Sequence, residues 1–148
     1  MNNSATTRAI SKIALEYNAN DKGTAEMVDS NYLLSDTAEG QFHEMKTVAE
    51  RNPKVKKWAM TGYISQPDEI DRKLKDEEFK QIAMEALAKV GVTNKNQYRL
   101  DIHNSTKHKH IHFVVNRIDI SGKCTVKAHD IGKRFGEAVR EVCKEKGE

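Results

Sequence analysis

A chain of 148 residues that is 37% hydrophobic and 32% charged can bury one real core, so the expectation is a single domain over 1–148. No apolar run approaches membrane-spanning length and no apolar signal core opens the chain, which argues for a cytoplasmic protein with no membrane insertion. Cys124 and Cys143 lie far apart with no Cys-x-x-Cys pattern, as in reduced intracellular thiols rather than a disulfide framework.

The formal net charge of +3 hides an asymmetry. Residues 1–50 carry 4 Lys/Arg against 8 Asp/Glu, a net of −4, and residues 51–148 carry 21 against 14, a net of +7. Between Lys95 and Arg134 there are 9 basic and 3 acidic residues, which favours a polyanionic partner, nucleic acid first.

In chain order, residues 1–7 are polar and read as a frayed terminus. Ile10, Ile13, Ala14 and Tyr17 recur at helical spacing, predicting a short amphipathic helix that ends in the turn-rich residues 18–23. Residues 27–34 read as extended. Asp36 with Glu39 resembles a capping box for a second helix carrying Phe42, Met45, Val48 and Ala49, which Asn52-Pro53 stops. Residues 58–65 read as a strand, ended by Gln66-Pro67-Asp68. Phe79, Ile82, Ala83, Ala86, Leu87 and Val90 form the clearest helical stripe, stopped at Gly91.

The strand 97–102 alternates cleanly, with Tyr98, Leu100 and Ile102 on one face and Arg99, Asp101 and then His103 on the other. A short loop over 104–109 suits an antiparallel partner that runs from the histidines to about Ile118, followed by a turn at Ser121-Gly122. A last helix uses Ile131, Phe135, Ala138, Val139 and Val142. The pattern is α+β: an antiparallel sheet with helices packed on one face and an open polar face.

That open face carries the most informative residues. His103, His108, His110 and His112 fall within ten positions of one another. His110 and His112 share a strand face, while Ile111, Phe113 and Val115 point into the core. Neutral imidazole is a common metal ligand, so His110, His112 and a returning His103 read as a three-histidine site for a divalent ion, with His108 outside it. No Glu follows the His-x-His pair as in a cupin, Val114 stands where a metallo-β-lactamase would have Asp, and no Cys is near to close a structural zinc site.

The His110-Ile-His112 motif, the upstream His103 and the trailing Phe-Val-Val-Asn-Arg117 closely resemble the third motif of plasmid and transposon relaxases, the mobilization nucleases. The likeness runs over nearly the whole chain. The helix carrying Tyr17 resembles their nucleophile segment, Tyr63-Ile-Ser65 resembles their second motif, and 115–123 fits the segment after the histidines. The similarity is strongest to tyrosine relaxases of Bacteroides-type mobilization elements. Two features depart from the family pattern. Ser105 stands where many relatives have Asp, and Lys107-His-Lys-His110 stands where they often have Asp-His-Pro-His.

The resemblance implies a relaxase (HUH endonuclease-like) fold in a bacterial protein that nicks one DNA strand at an origin of transfer for conjugative mobilization. Tyr17 would attack the phosphodiester and remain linked to the 5′ end, with Mg²⁺ or Mn²⁺ on His103, His110 and His112. Asp101, Asn116 and Ser65 are then the candidates for orienting the ligands, with Asp101 substituting for the missing carboxylate. Lys107, Lys109, Arg117, Lys56 and Lys57 are the candidate contacts to single-stranded or nicked DNA, with other relaxosome proteins and a coupling protein as further partners. Tyr32 is the next candidate nucleophile after Tyr17. Relaxases are usually longer, so a chain of this length is expected to be the nuclease domain. Two alternatives stand beside this reading: a replication-initiator-like nuclease of rolling-circle type, and a DNA-binding accessory module of the same fold that does not cut.

Overall fold

The computed structural model describes residues 1–20, 25–67, 74–104 and 108–147. Five strands form one antiparallel sheet: β1 (Asn2–Arg8), β2 (Glu26–Asn31), β3 (Ala59–Ser65), β4 (Asn96–His103) and β5 (His110–Asp119). Their spatial order is β1-β3-β5-β4-β2, so the histidine strand β5 is central and β1 and β2 are the edges. Four helices complete the fold: α1 (Lys12–Asn20), α2 (Ala38–Ala49), α3 (Asp76–Lys89) and α4 (Ile131–Lys146). The α+β class and the antiparallel pairing of the histidine strand with its predecessor are as the sequence predicts.

The alternation in β4 and β5 explains the main core. Tyr98, Leu100, Ile102, Ile111, Phe113 and Val115 pack with Phe79, Ile82 and Leu87 of α3 and with Phe135, Val139 and Val142 of α4. Burying a large apolar side chain there contributes about 1.5–3 kcal/mol.

The opposite face departs from expectation, because helices lie on both sides of the sheet. Val114 and Ile118 share that face with the histidines, and with Ala59 and Trp58 they pack against Leu15 of α1 and Met45, Val48 and Ala49 of α2. Where Val114 and Ile118 stand, the histidine-bearing face is thus apolar and covered, whereas the end holding His110, His112 and His103, and the β1–β3 margin, are polar.

Residues 2–8 are a strand rather than a frayed tail. They pair along the whole of β3, from Asn2 opposite Ser65 to Arg8 opposite Ala59. Only Ala5 is buried, so the segment has almost no apolar signal of its own; backbone pairing to β3 decides its state. The α2 cap also moves by one residue: Thr37, not Asp36, is the N-cap, its hydroxyl accepting from Gly40 N.

Gly62 lets β1 close against β3 above Phe113. A Cβ there would lie 2.0 Å from Ser4 O and 2.6 Å from Phe113 Cζ. Gly62→Ala is therefore expected to destabilise the fold by about 1–3 kcal/mol, read as a lowered denaturant midpoint; an unchanged midpoint would show that β1 can yield.

Candidate active site

The β4–β5 ladder places His103 directly opposite His110 and Asp101 opposite His112. On the other flank, β3 sets Ser65 opposite His110 and Tyr63 opposite His112. Partners across a ladder project to the same face, so the three histidines, Asp101, Ser65 and Tyr63 form one group. The rings of His103 and His112 are stacked with centroids 3.9 Å apart, and His110 lies 5.8 Å from His112. Tyr63 flanks both strand histidines at 5.8 Å. His103 is buried, whereas His110 and His112 are half-buried.

Tyr17 meets this group from above. Its ring stands edge-on to His103 at 6.3 Å between centroids, and it is 65% exposed. The helical stripe read from the sequence is rotated: Leu15 is the fully buried residue of α1, and Ile13 and Tyr17 face out. The two exposed side chains, one turn apart, line a groove with Arg8, Ile10, Ala14 and Asn18. Beyond the groove, β1 shows Asn2, Ser4, Thr6 and Arg8 on the histidine-bearing face, all exposed. Sequence reasoning missed this row. The strand-period alternation around Ala5 is present, but one apolar residue among polar ones also describes a solvated tail.

The competing tyrosines are separated by position. Tyr98 is buried, and its hydroxyl donates to Asp29 Oδ2 at 3.4 Å. Burial, followed by the charge and hydrogen bond of Asp29, pushes its pKa up to about 12, so it holds its proton. Tyr32 follows Asn31, which pairs with Tyr98, five residues along β4 from His103; at roughly 3.3 Å per residue that is about 16 Å away. Tyr63, which touches the histidines, therefore replaces Tyr32 as the second candidate.

Asp101 is almost fully buried and accepts from Arg99 Nε (2.8 Å to Oδ2) and Nη2 (2.9 Å to Oδ1); Arg99 Nη1 in turn donates to Gln41 Oε1 of α2 at 2.8 Å. A buried carboxylate needs such pairing. Ser65 is buried beside His110.

Asn116 stands elsewhere. It lies four residues from His112, roughly 13 Å along the strand. Its Nδ2 donates to Met45 O and Gln97 Oε1, both at 2.9 Å, tying β5 to α2 rather than orienting a histidine.

The basic residues also part company. Arg117 is buried on the α3–α4 face, with Nε donating to Val126 O at 2.9 Å and Nη1 to Lys57 O, so it is not a DNA contact. An odd offset from the histidines reverses its face. Lys109 is half-buried, paired with Asp76 and bonded to Leu74 O, which fastens the start of β5 to α3. Lys56 and Lys57 are exposed just before β3, whose first residue, Ala59, lies roughly 20 Å along the strand from Ser65, the partner of His110. Lys107 and Ser105 lie outside the described residues.

Two imidazoles within 6 Å of His112, those of His103 and His110, complete a set of donors that suits a divalent ion. Their present arrangement is not a finished coordination sphere: among the described residues no group of three or more His, Cys, Asp or Glu is placed to hold a metal ion. His103 Nε2 lies 2.8 Å from Asn18 O, so its ring is turned to α1.

Among the described residues no helix is long and apolar enough to cross a membrane. A search of curated proteins finds no match. The family described as "Relaxase: MobA/VirD2-like, nuclease domain" matches residues 17–147, a span that opens on Tyr17 and takes in all three histidines. With that match over most of its length, this chain belongs to the MobA/VirD2-like relaxase nuclease-domain family.

Proposed function

We propose that this nuclease domain nicks one strand of an origin of transfer by tyrosine transesterification, for conjugative mobilization. The observation that carries the reading is the exposed Tyr17 ring standing 6.3 Å from His103, at the edge of the histidine group. The Tyr17 hydroxyl attacks phosphorus, the P–O3′ bond breaks, and the 3′ oxygen takes up a proton to leave a free 3′-OH. The 5′ phosphate stays on the tyrosine, which conserves the bond for rejoining. Free tyrosine has a pKa of about 10, so proximity to the ion and a nearby base must help its proton leave.

His103, His110 and His112 would hold a Mg²⁺ or Mn²⁺ ion, which when bound supplies charge neutralisation for the phosphate oxygens. Asp101 and Ser65 orient the histidines in this reading. Single-stranded DNA would lie in the groove between α1 and the polar row of β1, where Ile13 and Tyr63 offer faces for bases and Arg8 a cation for phosphate. Lys56 and Lys57 reach only flanking DNA. Other relaxosome proteins and a coupling protein complete the proposed partners.

Incubation with an origin oligonucleotide and Mn²⁺, followed by a denaturing gel, tests this directly. The expected result is one cleaved strand with protein attached to its 5′ end, absent when the ion is chelated. Binding without cleavage would favour the accessory DNA-binding reading. Equal cleavage of a rolling-circle origin would favour the replication-initiator reading.

A further inference from the structure

α1 has little to hold it in place. It spans nine residues, Leu15 is its one buried side chain, and Ile13 and Tyr17 face solvent. A helix of that length is marginal on its own in water, so its position depends on tertiary contacts. Its C-terminal carbonyls have no partners within the helix. One of them, Asn18 O, sits 2.8 Å from His103 Nε2. The acceptor is a carbonyl, so Nε2 carries the proton and donates. A histidine supplied by β4 thus caps the end of α1, where an imidazole is also favoured by the helix dipole.

We propose that His103 is a positioning residue for Tyr17: its Nε2–H···O=C bond to Asn18 docks α1 on the histidine group and so sets where the adjacent tyrosine stands. The bond joins the backbone one residue after Tyr17 to the strand pair that carries the other histidines. The Tyr17 ring closes the same contact from its own side, edge-on to His103. His103 is 3% exposed, so little water competes for the carbonyl. The importance of this docking for catalysis rests on the reading of Tyr17 as the nucleophile; the docking itself does not.

Amide hydrogen exchange on the chelator-treated, metal-free protein isolates the contact. In His103→Ala, the amides of 15–20 should exchange about two- to tenfold faster, the range one net hydrogen bond provides, while those of β3, α3 and α4 keep their rates. His103→Gln carries an N–H at the reach of Nε2 and should restore protection of α1, although an amide is a poor metal ligand. Unchanged exchange of α1 in His103→Ala overturns the proposal. So does acceleration spread evenly over the chain, or acceleration that His103→Gln leaves in place. Because no metal or DNA is present, a chain that never forms a covalent adduct could still pass this test, so the two readings fail separately.

Discussion

Tyr17→Phe protein should fold, bind origin DNA and form no covalent product. The substitution removes one oxygen from a side chain that is 65% exposed and outside both cores, so stability should change by less than about 0.5 kcal/mol. The ring remains to stack on a base and to meet His103 edge-on. Only the nucleophile is lost, and losing it should lower the cleavage rate by three or more orders of magnitude on the scale set by other covalent catalysts. Denaturing electrophoresis of protein with 5′-linked DNA gives the answer. Persistence of the adduct in Tyr17→Phe would sink the assignment, and Tyr63→Phe would be the next variant, since Tyr63 touches His110 and His112.

The second large effect is expected at His112. It is the centre of the ring group, with His103 at 3.9 Å and His110 and Tyr63 both at 5.8 Å. Loss of a partner that merely orients a ligand typically weakens metal binding 10–100-fold, so loss of the ligand itself in His112→Ala should weaken Mn²⁺ binding by at least about 100-fold in calorimetry. His110→Ala should behave alike, while His108→Ala should leave affinity within about twofold of the parent, within the spread of a surface substitution. Unchanged affinity in His110→Ala and His112→Ala would remove the proposed ion from this face. Because both histidines are half-buried at the sheet's polar end, the fold should survive these changes.

Elements whose signal is local are legible in the order of their residues. β4 alternates from Tyr98 to His103, β5 from His110 to Phe113, and α3 repeats apolar residues from Phe79 to Leu87, so the type of these elements and the facing of those stretches follow from period alone. The same period put His110 and His112 on one face and joined His103 to them across a short connection. Family membership was legible for the same reason, since the motif lies within one strand pair.

Elements that depend on distant partners were not legible. β1 is a strand because β3 pairs with it, and its own residues carry one buried side chain. The rotation of α1 comes from where Leu15 finds a core: of the predicted stripe Ile10 is buried there and Ala14 packs against it, but Ile13 and Tyr17 face out. Residue type also overstated the DNA contacts. Arg117 and Lys109 are basic, yet one satisfies backbone carbonyls in the interior and the other pairs with Asp76.

The sequence by itself determined the fold class, the facing of the central strands, the histidine group and the family. Tertiary structure alone decided that helices cover both faces, that Tyr63 lies against the strand histidines, and that Asn18 O near the end of α1 meets His103 Nε2. The division is physical. Side-chain period is written into neighbouring residues, whereas burial, ion pairing and the capping of a helix by another strand depend on residues tens of positions away.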